Sequence, residues 1–222
     1  MAEFVVGHLV AHQRQFFGLL EDQKRKKWDK DRRGDYKPLS SFSIGILGVG
    51  EIGREIARVC KNGFGMTVLG LVSSTSGGRS EPNVDRLYDF SRLPELLHEA
   101  DYLCNVLPST PKTKDLLSGE TLTYCRHKKP VFINVGRGDV IDAPSLQHAL
   151  KQGYISQAVL DVFDTEPLPP ESPLWEHPDV IISPHISSVT LDFQVAKVFG
   201  DNFDRFVQEQ PLKYLLDWSK GY

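Results

Sequence analysis

At 222 residues, with 40% hydrophobic and 25% charged side chains, the chain has the make-up of an ordinary globular protein, neither disordered nor fibrous. Its length exceeds one average domain and falls short of two, which predicts one complete domain with an attached partial one. A formal net charge of −3 offers no global attraction to nucleic acid or an anionic membrane, so neither is expected as a partner.

The first predicted element is a helix over residues 2–20, where Val5, Leu9 and Phe16 are apolar and no proline intervenes. Residues 24–33 follow with seven basic side chains in ten, interrupted by Asp29 and Asp31, and read as a solvated surface segment. Pro38, Leu39, Ser40 and Ser41 read as a linker into a strand over residues 42–47. Ile52, Ile56 and Val59 then recur at helical spacing, and residues 66–72 form the next apolar run, completing a strand–helix–strand unit. Three more strands are predicted at residues 102–107, 131–134 and 156–160, with helical segments at 93–98, 117–124 and 143–152. This alternation predicts an α/β fold, a doubly wound parallel sheet with helices on both faces.

Past Asp161 five prolines, from Pro167 to Pro178, mark a long irregular connection before a short strand at residues 180–182. Loops of such length are usually functional. Residues 191–207 again read as helix, and residues 212–222 as an aromatic tail suited to docking. Cys60, Cys104 and Cys125 show no CxxC spacing, so neither a disulfide framework, a zinc site nor any other metal site is expected. With no run of eighteen apolar residues and no secretory signal, a soluble, cytoplasmic location is the reading.

The sequence Gly48-Val49-Gly50-Glu51-Ile52-Gly53 follows the first strand and opens the helix behind it, which is the context a dinucleotide-binding turn requires. Gly50 leaves no side chain between backbone and pyrophosphate, Gly53 permits close helix–strand packing, and the helix N-terminus offers free N–H groups to the phosphates. An NAD site normally places an acid near the end of the second strand. Here the stretch from Val72 to Arg79 holds no carboxylate. Ser73, Ser74 and Arg79 suit a 2′-phosphate better than a bare hydroxyl, favouring NADP over NAD.

Asn134-Val135-Gly136-Arg137-Gly138 ends a predicted strand at the same sheet edge, so Arg137 is placed to grip a carboxylate with paired bonds. Further on, Glu166 and His185 are positioned to meet near Arg137. A carboxylate behind a histidine fixes its tautomer and raises its pKa, which suits proton delivery near neutral pH.

This set, in this order, resembles the D-isomer-specific 2-hydroxyacid dehydrogenase family, whose signatures are similar to residues 48–53, 134–138, 161–167 and 184–185. The resemblance runs from Ala2-Glu3-Phe4 to Gly221-Tyr222 and is closest to the glyoxylate/hydroxypyruvate reductases. It implies a Rossmann domain over residues 37–187. Residues 1–36 would be a helix and arm leading from a split substrate domain, and residues 188–222 a segment returning to it. It further implies that Arg137 binds the carboxylate and carbonyl of a small 2-oxo or 2-hydroxy acid, that Glu166 partners the histidine, and that His185 is the general acid. Asp161 would bind the nicotinamide carboxamide, with Leu107, Pro108, Ser109, Thr113, Val135 and His185 lining the dinucleotide. A homodimer joined through the cofactor domain and the arm from Phe16 to Trp28 is implied as well.

Many relatives carry Gly or Ala where this chain has Ser187. The resemblance also implies an N-terminal substrate lobe ahead of Glu3. Its lack is expected to expose the helix near Phe4 and the tail from Leu215 to Trp218, and to leave dinucleotide binding with little turnover. Transcriptional corepressors of the same family offer a second reading, a non-catalytic NAD(P)-responsive binding protein.

Overall fold

The computed structural model describes residues 1–218, so the last residues of the resemblance, Gly221 and Tyr222, lie outside it. The chain divides into two compact units, Met1–Ser187 and Ser188–Tyr222.

The first unit holds seven parallel strands: β1 (Ser43–Leu47), β2 (Thr67–Leu71), β3 (Arg86–Tyr88), β4 (Tyr102–Asn105), β5 (Val131–Asn134), β6 (Gln157–Leu160) and β7 (Val180–Ile182). Their order across the sheet is β3-β2-β1-β4-β5-β6-β7, so the winding reverses between β1 and β4, and ligands of such sheets collect at the strand carboxyl ends flanking that point. Side-chain alternation sorts the core into two layers. Ile44, Ile46, Tyr102, Cys104, Val131, Ile133 and Val159 point to one face, with α1 (Ala2–Gln13) and α4 (Glu51–Phe64). Leu47, Leu69, Leu71, Leu103, Phe132 and Leu160 point to the other, with α5 (Leu93–Glu99) and α6 (Ala143–Lys151). Both faces are covered, as a parallel sheet requires.

Four expectations need correction. The N-terminal helix is two, α1 and then α2 (Phe16–Lys24), because Gln15 takes a left-handed backbone (φ 54°) and its side chain accepts from Arg33 Nη1 at 2.8 Å. A short helix α3 (Lys30–Gly34) follows. Strand β3 has only three residues and too little apolar pattern to be seen in sequence. Residues 117–124 form turns and one 3-10 segment rather than an α-helix, with Gly119 at φ 63° breaking the run. Phe4 is not left exposed: it packs against the α1/α4 layer and its ring lies 4.6 Å from that of His8.

The basic segment is tied down by its own acids. Arg33 donates to Asp22 at 2.5 Å and to the Gly18 carbonyl at 3.0 Å, while Lys27 pairs with Asp29 at 2.6 Å. Even so, Phe16, Phe17, Leu19 and Leu20 of α2 are exposed, and Trp28 is 95% exposed.

The second unit is built on α7 (Asp192–Val207). Asn202 makes reciprocal bonds with the Lys213 backbone at 2.8 and 3.1 Å, which turns the tail back along the helix. Phe193, Phe199, Phe203, Phe206, Leu215 and Trp218 are exposed. No helix among the described residues is long and apolar enough to cross a membrane.

Candidate active site

The residues singled out for cofactor or substrate lie on the turns, loops and helix start that follow the carboxyl ends of the strands. Gly48 follows β1 with φ 101°, and Gly50 precedes α4 in extended backbone. A Cβ on Gly53 would collide with the Gly48 carbonyl oxygen, so close packing of turn on helix excludes any side chain there. A Cβ on Gly50 would meet nothing within 4 Å. That open space lies over the N-terminus of a 14-residue helix whose first N–H groups have no intrahelical acceptor. Glu51 and Ile52, on the first turn, are exposed.

Beyond β2, Ser73 and Ser74 are exposed, and Ser74 Oγ bonds Ser76 Oγ. No carboxylate lies within residues 72–79, but one stands two positions past Arg79. Glu81, just past the stretch considered, accepts from Arg79 Nη2 at 2.7 Å and from Arg54 Nε at 2.8 Å. Neither Arg54 nor Glu81 was found from the sequence, because helical and loop charges give no local signal of such a pairing.

After β4, the Asn105 amide donates to Asn134 Oδ1 at 2.9 Å, and Asn105 Oδ1 accepts from Leu107 N. The Asn134 amide in turn donates to the Arg137 carbonyl at 3.1 Å. Two buried asparagines on adjacent strands thus shape both loops; Asn105 had no sequence signal. Leu107 and Val135 are buried beneath these turns, and Pro108 is half-buried. Thr113, also buried, donates its hydroxyl to the Pro108 carbonyl at 2.6 Å and accepts from Thr110 N, bracing the loop. Ser109 donates to Asp139 at 2.5 Å. Arg137 is exposed; its Nη1 donates to the Gly136 carbonyl at 2.7 Å, with no bond to Glu166 or His185.

Glu166 and His185, nineteen positions apart, do meet: Glu166 Oε2 lies 2.8 Å from His185 Nδ1. The second carboxylate oxygen, Oε1, accepts from Phe163 N at 2.9 Å, which fixes the rotamer. Burial pushes the Glu166 carboxyl up, but the bonds from His185 and Phe163 N outweigh it and hold the group below its usual range, ionised at neutral pH. With Nδ1 engaged, His185 turns its Nε2 edge free, and the ring is more than half exposed.

His185 has φ 55°, an uncommon backbone for a non-glycine residue, and Asp161 accounts for it. The Asp161 side chain is fully buried; Oδ1 accepts from Ser183 Oγ (2.5 Å) and Ile186 N (2.9 Å), Oδ2 from Ser187 N (2.8 Å), and its carbonyl from His185 N (2.9 Å). Burial opposes ionisation, yet these bonds hold the carboxyl below its ordinary value of 3.8. Asp161→Ala leaves buried donors unpaired, each costing about 1–3 kcal/mol, so the expected drop in Tm is roughly 6–12 °C. The carboxylate's own contribution should be present above the unfolded pKa of about 3.9 and disappear as pH falls through the lower folded value. Differential scanning calorimetry at pH 7 and pH 3 reads both, and equal Tm for the two proteins at pH 7 would refute the clamp.

Comparison with known proteins adds independent information. The model of the D-isomer specific 2-hydroxyacid dehydrogenase NAD binding domain matches residues 6–187. The chain is 34% identical over 194 residues to glyoxylate/hydroxypyruvate reductase B of Escherichia fergusonii, covering 86% of this chain and 58% of that protein. Among solved structures, a D-isomer specific 2-hydroxyacid dehydrogenase family protein from Aeromonas salmonicida is similar at TM-score 0.84 and 39% identity, covering 98% of this chain and 67% of that one. An NADPH-dependent glyoxylate/hydroxypyruvate reductase from Sinorhizobium meliloti, solved with NADP and sulfate, is similar at TM-score 0.87 and 28% identity, covering 100% of this chain and 69% of that one. The chain therefore spans a little under three-fifths of the length of the first of these relatives.

Proposed function

The chain belongs to the D-isomer specific 2-hydroxyacid dehydrogenase family, through its NAD binding domain, and from that premise we propose that it is an NADP-preferring oxidoreductase acting on a small 2-oxo acid such as glyoxylate or hydroxypyruvate. The observation that carries the reading is the Glu166–His185 pair at 2.8 Å, at the same sheet edge as the open turn at Gly50. The names of the similar reductases support the substrate class, and the NADP complex of the Sinorhizobium enzyme supports the cofactor.

The open space at Gly50 fits a pyrophosphate, held by the first N–H groups of α4, with Ser73, Ser74 and Arg79 toward the adenosine ribose and Leu107, Pro108, Val135 and Thr113 along the remainder. Bound nicotinamide supplies the hydride. Arg137 binds and orients the substrate carboxylate and carbonyl, for which a planar guanidinium is suited. His185 delivers a proton from Nε2 to the carbonyl oxygen as the carbon is reduced, which balances one hydride and one proton per 2-hydroxy acid formed. Glu166, anionic, engages Nδ1 and holds the ring so that Nε2 faces the substrate side. Asp161 clamps the turn bearing His185.

Residues 37–187 are proposed as the cofactor domain, with residues 1–36 and 188–222 as segments of a second, split domain. Three buried, unpaired thiols support a reducing, cytoplasmic setting. The decisive experiment is NADPH oxidation with glyoxylate and hydroxypyruvate by the purified chain. Turnover that falls on His185→Gln supports the enzyme; dinucleotide binding with no turnover points to the corepressor-like binding protein instead.

A homodimer joined through α2 and Trp28 is also proposed, because that much exposed apolar surface in one arm needs a cover. Sedimentation equilibrium at micromolar concentration should give twice the chain mass, and Phe16→Glu with Leu20→Glu should return the monomer mass. A parent chain that sediments as a monomer would sink the dimer.

A further inference from the structure

Past β2, Gly77 and Gly78 take successive positive φ values of 72° and 70°, and this reversal turns Arg79 back toward α4. There Arg79 Nε and Nη2 both donate to Glu81 Oε1, at 3.1 and 2.7 Å. Arg54, on the first turn of α4, donates Nε to Glu81 Oε2 at 2.8 Å and Nη2 to Oε1 at 3.2 Å. One carboxylate, its side chain only 8% exposed, thus receives four N–H donors from two guanidiniums. Bonding to Arg54, against opposing burial and helped by Arg79, holds the Glu81 carboxyl down to about 2.

Two guanidiniums repel each other and converge only where an anion lies between them. The cluster stands beside the fingerprint helix and past the end of β2, the place where a dinucleotide's adenosine ribose rests in an open doubly wound sheet. A phosphate monoester carries more charge than a carboxylate and three acceptor oxygens, so it satisfies two such forks better. Glu51 also bonds Arg54 Nη1, at 3.0 Å. The four side chains therefore sum to zero charge, and Glu81, together with Glu51, cancels the attraction the two arginines would exert on a phosphate.

We propose that Arg54 and Arg79 form a two-guanidinium clamp for the ribose 2′-phosphate of NADP(H), and that Glu81 is its internal competitor, occupying the clamp until the phosphate displaces it. This rests on the dinucleotide reading above. Glu81 therefore sets how strongly the protein distinguishes NADPH from NADH, although it has the sign of a residue that disfavours phosphate.

Isothermal titration of NADPH and NADH into the parent chain, Glu81→Gln and Arg54→Met tests it. Glu81→Gln should tighten NADPH about tenfold and move NADH by no more than about twofold; Arg54→Met should weaken NADPH about tenfold or more, with a much smaller effect on NADH. A Glu81→Gln variant whose NADPH-to-NADH affinity ratio is unchanged or lower overturns the competitor role, and an Arg54→Met variant that weakens both cofactors equally overturns the clamp. Either result, with NADH binding by the parent chain, leaves the dinucleotide site standing. A parent chain that binds neither cofactor overturns the clamp and the dinucleotide reading together.

Discussion

Gly50→Val should reduce dinucleotide affinity by at least about a hundredfold while the protein remains folded. The two halves of that expectation come from different observations. Nothing lies within 4 Å of a Cβ at Gly50, and its backbone is extended (φ −90°, ψ −160°), so valine fits the free protein without strain. The same open space is where the proposed pyrophosphate reaches the first N–H groups of α4, and the added methyls fill it. Losing a charge-assisted contact to those groups forfeits roughly 1.5–3 kcal/mol, and excluding the phosphate forfeits more than one such contact. Gly53→Ala is the control with the opposite signature. Its Cβ would strike the Gly48 carbonyl, so stability should fall before affinity can be measured. Calorimetric titration with thermal melts of both variants separates them. A folded Gly50→Val protein that binds NADPH as the parent does would move the phosphates elsewhere.

Replacing His185 with glutamine should lower kcat for 2-oxo acid reduction by a factor of about 10² to 10⁴, the usual worth of a positioned general acid. NADPH affinity should change by less than about threefold, because the pyrophosphate and ribose contacts proposed above are made by other residues. Glutamine keeps the approximate size and a polar head, but its amide N–H groups cannot release a proton near neutral pH. Glu166→Gln should give a smaller loss, since His185 remains and only the charge behind Nδ1 is removed; Glu166 Oε1 still accepts from Phe163 N through the amide oxygen. Steady-state NADPH oxidation, with binding measured separately, gives the split. A His185→Gln protein with parental kcat would show that another group, or water, supplies the proton.

The parts of the fold that were legible in the sequence are those with a strong local period. Strand β5 was placed at its observed bounds because residues 131–133 are a continuous apolar run closed by the turn motif that Asn134 opens. Strand β3 was missed because a three-residue strand with Arg86 at its start has no period to detect. The break between α1 and α2 was missed for a related reason: Gln15 is not a residue that ends helices by itself, and its left-handed backbone is held by Arg33 from eighteen positions away. At the site, Glu166 and His185 were expected to pair from their order along the chain. Asn105, Arg54 and Glu81 were not found, because a polar residue on a strand end or helix turn looks the same whether it faces water or a partner.

By itself the sequence determined most of the strands and helices, the parallel winding and the edge on which the fingerprint, Arg137 and His185 gather. These follow from backbone geometry: side-chain period selects helix or strand, and right-handed crossovers place successive strand ends on one side. Only the tertiary structure decided what the polar groups bond to. It spends Asp161 on the turn of His185 and sets Glu81 between Arg79, two positions before it, and Arg54, twenty-seven positions before it. A hydrogen bond demands atoms placed to within a few tenths of an ångström and correctly oriented, and for residues twenty or more positions apart that placement is fixed by strand order and loop conformation, which no local period encodes.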